Sequence, residues 1–347
     1  MFDSYKGKKV LVTGHTGFKG SWLAIWLHEL GAKVYGYSLE PPTKPSNYAL
    51  SRVDELLAGE VVGDIRDRKA LSAAIRRWKP DIVFHLAAQP LVRESYACPY
   101  ETFETNVLGT ASVLDAVRAL KTDCAVVCIT TDKCYENLER AKGYKESDPF
   151  GGYDPYSASK GAAEILIASY RRSFNMNVAS VRAGNVIGGG DWAKDRIVPD
   201  LVRALKKGCT PGVRSPKAVR PWQHVLEPLS GYLALGEKLM LEPRNAIWCS
   251  GWNFGPEKSG EDTVGHVADL VVAAWGRGMW AFTGDPRAVH EATLLRLDIG
   301  KAKRVLGWKP RWNLEQAIGH TVDWYRKATK ATARSLCLAD ICAYMGI

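Results

Sequence analysis

No apolar run in the 347 residues approaches the ~18 consecutive residues that a membrane span requires. The opening "MFDSYKGKK" passes into "VLVTG" too soon to form a signal peptide. A cytoplasmic protein without a membrane partner is therefore expected. Cysteine pairs are missing too: none of Cys98, Cys124, Cys128, Cys134, Cys209, Cys249, Cys337 and Cys342 belongs to a CxxC. Runs such as "CAVVCITT" read them as small buried hydrophobes, which leaves no disulfide framework and no metal site to expect. The net charge is +10, yet there is no basic arm and no aromatic RNA-binding platform. Dispersed basic residues argue against nucleic acid and suit a small phosphorylated substrate. Repeats and low-complexity tracts are absent, and 46% hydrophobic residues exclude disorder.

What is present is alternation. Short apolar β-branched runs occur at 9–14, 31–38, 59–65, 81–88, 125–131 and 177–185, and stretches of period near 3.6 separate them, such as "GSWLAIWLHELGA". This predicts an α/β fold, a Rossmann-type doubly wound parallel sheet covered on both faces. After about residue 185 the rhythm gives way to Gly, Pro and charge, with a helix over "IVPDLVRALKKG" and a further strand-like run at 245–255. The division expected is a dinucleotide-binding domain over 1–184 plus about 220–255, and a smaller interleaved α/β lobe over 185–219 and 256–347.

The first strand runs into "TGHTGFKG", with Gly14, Gly17 and Gly20 at spacings of three and a helix opening near Phe18. Glycine permits the tight turn and lets the backbone approach a pyrophosphate, which the helix N-terminus then meets with free N–H groups. The second strand ends at Ser38 rather than at an acid, with Glu40 two residues on, and no arginine is obviously placed for a 2′-phosphate. NAD is favoured over NADP on that reading.

Tyr156 and Lys160 stand four apart at the start of a helical pattern. They form either an incidental pair on a surface helix or a proton-transfer pair sharing one helix face. A phenol of pKa ~10 is a poor base at neutral pH unless nearby positive charge stabilises the phenolate, and the Lys160 ammonium together with the positive ring of an oxidised nicotinamide is expected to supply it. Thr131, at the end of the fifth strand, falls on the sheet edge where such folds bind ligands. His85 lies within an apolar strand and reads as a core residue.

The order "TGHTGFKG", "HLAA", "TNVLGT", "TTDK", "YSASK", "GNVIGGGDWAKDR" and "RPWQHV" resembles the extended short-chain dehydrogenase/reductase family that acts on sugar nucleotides, over nearly the whole chain. Within that family the chain is similar to the 4,6-dehydratases, and the resemblance favours CDP-glucose as substrate; another nucleoside-diphosphate hexose, 4-epimerisation and a non-catalytic NAD sensor are the alternatives. The resemblance implies oxidation of the sugar at C4, loss of water across C5 and C6, and reduction at C6, with NAD regenerated in each turnover. It assigns Thr131, Tyr156 and Lys160 to the C4 step. Asp132 becomes the acid at the C6 hydroxyl, and Lys133 either the base at C5 or the cation beside the enolate. His15, Thr16 and Phe18 join the three glycines at the cofactor, with Asp64 and Ile65 flanking adenine. Leu86, Ala87, Ala88 and Asn106 complete that set, together with Tyr156 and Lys160. Asn185, Arg196 and Arg220 are assigned to the diphosphate, and Gln89 and Arg93 to the hexose or a neighbouring loop. The helices around 100–120 and 156–174 resemble a dimer contact, so a homodimer, or else a tetramer, is expected.

Overall fold

The computed structural model of the protein describes residues 2–284 and 294–347; residues 285–293 of the expected second lobe lie outside the described residues. Seven strands form one parallel sheet: β1 (Lys9–Thr13), β2 (Lys33–Ser38), β3 (Gly59–Val62), β4 (Ile82–His85), β5 (Ala125–Ile129), β6 (Val178–Ala183) and β7 (Gly251–Phe254). Their spatial order is β7-β6-β5-β4-β1-β2-β3. β4, β5 and β6 are buried at every position, as expected of strands covered on both faces.

Two apolar layers provide that cover. Helices α1 (Phe18–Glu29), α2 (Arg68–Trp78), α3 (Gly109–Arg118), α4 (Pro155–Ser173), α5 (Ile197–Lys206) and α6 (Leu226–Leu241) follow in chain order. On one face α1 and α6 press Trp22, Trp26, Leu229 and Tyr232 against Val10, Val12, Phe84 and Val127. On the other, Leu71 and Ile75 of α2, Val113, Leu114 and Val117 of α3 and Ile167 of α4 meet Leu11, Val83 and Val126. Successive strand residues thus feed opposite layers, the period of 2 that the sequence shows.

The strand order reverses between β1 and β4, which opens a crevice at their C-terminal ends, beside Gly14 and Leu86. Past β6 the chain builds the far wall of that crevice with α5 and the start of α7 (Val264–Trp275), and α8 (Leu314–Lys327) packs against α7. Two-residue ladders pair 186–187 with 223–224 and 212–213 with 281–282. The last helix, α9 (Ala333–Met345), returns to the first half: Tyr344 packs edge-on against Trp26, and Arg334 Nε donates to the Ser51 carbonyl at 2.7 Å.

Two local readings differ from the structure. The run 245–255 is a strand only at 251–254, because Asn245 turns the chain first: its Oδ1 accepts from Ile247 N and its carbonyl from Cys249 N. Thr131 lies beyond β5 and caps the short helix Asp132–Cys134, accepting from Lys133 N at 3.4 Å. One π-helical turn, Glu104–Leu108, leads into α3. All eight cysteines are free thiols, and His85 is buried between the hydroxyls of Thr13 and Thr110.

Candidate active site

Gly14 adopts φ +77°, and a Cβ there would meet the Ala87 backbone nitrogen at 2.7 Å. Only glycine lets β1 turn this closely past the end of β4. Gly17 then caps α1 without any side-chain hydrogen bond, leaving the first amides of the helix for an anion. A dinucleotide pyrophosphate fits this cradle.

The other expected cofactor residues divide by what their side chains do. Thr16 ties the loop to β2, its hydroxyl 2.8 Å from Ser38 Oγ and 2.9 Å from the Leu39 carbonyl. The His15 ring is turned under the loop, where Nε2 lies 2.9 Å from Glu60 Oε2, so only its backbone can face a cofactor. Leu86 and Ala87 donate their amides to the carbonyl and hydroxyl of Thr13, which sets the β4 edge, and Ala88, half-buried, continues it. Ile65 is core, packed on Gly109. The Arg66 guanidinium grips Asp64 through two nitrogens and Glu104 through a third, and that grip holds the Asp64 carboxyl below its usual range. The amide of Asn106 is fully engaged with the Gln89 backbone and Ser159 Oγ, so it holds the loop after β4 and has no donor left for a ligand.

Opposite the cradle lies a cavity of about 1010 Å³, lined by Thr131, Asp132, Lys133, Tyr156, Asn185, Arg196 and Arg220, with Phe18 and Lys19 from α1. Its position follows from local chemistry. Asp154 caps α4 by accepting from Ser157 N at 2.9 Å, Pro155 begins the helix, and Tyr156 then points into the cavity. Tyr156, Lys160 and Glu164 share one helix face. Glu164, buried, accepts from Ser180 Oγ at 2.6 Å and from Arg182 Nε at 2.8 Å, which fixes the rotation of α4 on the sheet. The Lys160 ammonium donates to the Ile129 carbonyl at 3.2 Å; burial pulls it down to about 8, against Glu164 and the neighbouring thiols.

Lys160 is not the main influence on the phenol. Burial pushes Tyr156 up to about 12, and Asp132 and Asp154 add to the rise. Opposing it are the Thr131 hydroxyl and the Arg196 guanidinium. Arg196, which arrives from the far wall and is held by Asp191 Oδ2 at 2.8 Å, is a cation beside the phenol that the sequence reading did not include. Asp132 is buried at 1% exposure; Oδ1 accepts from Thr131 Oγ at 2.9 Å, and Oδ2 has no partner among the described residues. Lys133, half-buried, sits 3.7 Å from Asp132 Oδ1. Asn185 Oδ1 is likewise buried and without a partner among the described residues.

Gln89 does not line the cavity. Its amide bonds the backbone of Leu91 and Thr102 Oγ1, shaping the loop that presents Arg93, which does line it. Reading the sequence missed Lys19 and Asp191. Burial, then Arg196 and Lys160, pull the Lys19 ammonium down to about 7, against Asp132 and Asp191. The available signal was a lysine among the glycines of a cofactor loop, where the first helical turn faces the ligand.

A family model described as GDP-mannose 4,6 dehydratase matches residues 11–321. The CDP-glucose 4,6-dehydratase of Salmonella typhimurium is 48% identical over 343 residues, covering 96% of this chain and 94% of that protein. The CDP-paratose 2-epimerase of Salmonella typhi is 33% identical, covering 91% and 98%. Among solved structures, the dTDP-glucose 4,6-dehydratase of Streptomyces venezuelae with NAD and TYD bound superposes with a TM-score of 0.79 at 26% identity, covering 92% of this chain and 97% of that one. A match of this extent to the family model means that the chain belongs to the GDP-mannose 4,6 dehydratase family.

Proposed function

We propose that the protein is an NAD-dependent lyase that converts CDP-glucose into CDP-4-dehydro-6-deoxyglucose and water. The observation that carries this reading is the meeting of Thr131, Asp132, Lys133 and Tyr156 in one cavity that opens on the N-terminus of α1, in a chain 48% identical to a CDP-glucose 4,6-dehydratase.

Bound NAD supplies the acceptor for the C4 hydrogen and its electron pair and returns both at C6. The amides that follow Gly17 hold its pyrophosphate, and the β4 edge at Leu86–Ala88 supports the ring system. Arg66 is neutralised by Asp64 and Glu104, so it is poorly placed to accept a 2′-phosphate, which favours NAD over NADP.

Tyr156 takes the proton from the C4 hydroxyl. Since burial raises its pKa, the phenol needs the Thr131 hydroxyl and Arg196 to share the phenolate charge, with Lys160 one helical turn further along α4. Once C4 is a ketone, the C5 proton becomes acidic. Lys133 takes that proton or holds the enolate oxygen, and Asp132 Oδ2, buried and without a partner among the described residues, protonates the departing C6 hydroxyl. Asn185, Arg196 and Arg220 hold the diphosphate, with Arg93 beside the hexose. Gln89 and Asn106 position the intervening loop.

The domain division follows the same logic: 1–184 with about 220–255 carries the cofactor, and 185–219 with 256–347 carries the nucleotide. A cytoplasmic homodimer, or a tetramer built from it, completes the proposal. Tyr100, Leu108 and Ile165 expose 73%, 60% and 59% of their surface on neighbouring helices, an apolar patch that a second copy would cover.

The test is incubation with NAD and CDP-glucose, reading the 4-keto-6-deoxy product by its absorbance in alkali and by mass, beside dTDP-, UDP- and GDP-glucose. Loss of one water with CDP-glucose is the expected result. Isomerisation without mass change, or turnover of another nucleotide alone, overturns it.

A further inference from the structure

With the hexose at Tyr156 and Arg93 and the diphosphate at Asn185, Arg196 and Arg220, two polar residues of the cavity wall next to Arg93 have no task. There Asp195, from the loop before α5, meets Arg214, which follows the 212–213 strand, and Arg93, from the short helix Val92–Ala97 that follows β4. Both guanidinium groups converge on a single carboxylate oxygen: Arg214 Nη1 donates to Asp195 Oδ1 at 2.7 Å, and Arg93 Nη1 lies 3.7 Å from it. The other oxygen, Oδ2, accepts from no described residue, and 43% of the side chain is open. The arrangement is held from both sides. Val213 is paired with the 281–282 strand and accepts from Thr283 N at 3.0 Å, while Asp195 sits at φ +62°.

We infer that Asp195 and Arg214 read the nucleobase, and that the edge they fit is that of cytosine. This rests on the proposed sugar-nucleotide chemistry and specifies which nucleotide it takes. Cytosine presents an amino donor at N4 beside acceptors at N3 and O2. A free carboxylate oxygen beside guanidinium N–H groups is the complementary pattern. Uracil and thymine place a carbonyl at O4 and a donor at N3, so a carbonyl faces the carboxylate and an N–H faces the guanidinium. Sites built on such pairs reject the mismatched partner mainly because their own groups are left unpaired. Guanine offers amino and carbonyl groups of similar polarity on a larger ring, so GDP-glucose belongs in the comparison.

Asp195→Asn is the informative change, since asparagine tolerates the left-handed backbone that aspartate occupies and can donate to a carbonyl. The ratio of kcat/KM for CDP-glucose over UDP-glucose should fall at least about tenfold, chiefly through KM. CMP binding by calorimetry, without NAD or turnover, should weaken relative to UMP by a similar factor, and Arg214→Met should weaken CMP with little change in the thermal midpoint. If the wild type dehydrates CDP-glucose but Asp195→Asn leaves both ratios within about twofold, base reading by this pair is refuted. If the wild type leaves CDP-glucose untouched while CMP still binds over UMP, the activity proposal fails and this inference stands.

Discussion

Replacing Thr131 with valine removes one hydroxyl and keeps the shape. That hydroxyl caps the helix Asp132–Cys134, donates to Asp132 Oδ1 at 2.9 Å, and opposes the burial of the Tyr156 phenol. Losing a cap costs about 1 kcal/mol. Losing the one hydrogen-bond donor that a carboxylate of 1% exposure has among the described residues costs about 1.5 to 3 kcal/mol. The two effects share one atom and do not add in full, so about 2 to 3 kcal/mol is expected. At about 2.1 cal/mol/K per residue, a chain of 347 residues converts this into a thermal midpoint lower by about 3 to 4 °C. A reserve of about 5 to 15 kcal/mol keeps nearly all molecules folded at the assay temperature. The catalytic loss should be much larger, about 10²-fold or more in kcat, because the phenol loses a partner when it gives up its proton. Initial rates of the alkali-absorbing product measure it, and Thr131→Ser should recover most of the rate. A valine variant within about tenfold of wild-type kcat, at an unchanged midpoint, refutes this account of the threonine.

Three further outcomes follow from the geometry. Lys160→Met should abolish turnover yet raise stability at pH 7, because the folded ammonium titrates near 8 while the unfolded one stays near 10.5. Between those values the folded wild type sheds the proton that the unfolded chain keeps, so wild-type stability rises with pH and the gain from Met shrinks; denaturant midpoints across that window measure it. Gly14→Ala puts a Cβ 2.7 Å from the Ala87 nitrogen at φ +77°, and should cost more than about 2 kcal/mol and weaken NAD at least about tenfold by tryptophan quenching. Ile165→Arg should shift the protein toward monomer in sedimentation velocity, and a wild type already monomeric at micromolar concentration refutes the dimer.

What the sequence made legible was local or periodic. The glycine spacing announced the turn at Gly14, the four-residue interval put Tyr156 and Lys160 on one helix face, and continuous apolar runs announced β4, β5 and β6. The electrostatics of the phenol depend instead on distant partners. Arg196 reaches Tyr156 only because α5 folds across the sheet edge, and Lys19 joins them from the first helix. Side chains taken for ligand contacts, Gln89 and Asn106, bond the loop after β4 and its supports, and no spacing rule separates a residue that touches a ligand from one that holds the loop touching it. The strand expected from 245 was shortened by a turn whose hydrogen bonds to Asn245 compete with sheet pairing.

The position of β7 at the sheet edge has a consequence for the order of folding. β6 ends at Ala183, but its outer neighbour is Gly251–Phe254, made some 70 residues later during translation. Until that segment leaves the ribosome, β6 presents a bare line of amides and carbonyls, the kind of edge that pairs with a neighbouring nascent chain. Arg182, on that strand, also waits for Asn253 to complete the bonds that run through Tyr135. Slow synthesis between 184 and 250 would prolong the interval in which the enzyme is most prone to aggregate, so its yield should respond to codon choice there more than elsewhere.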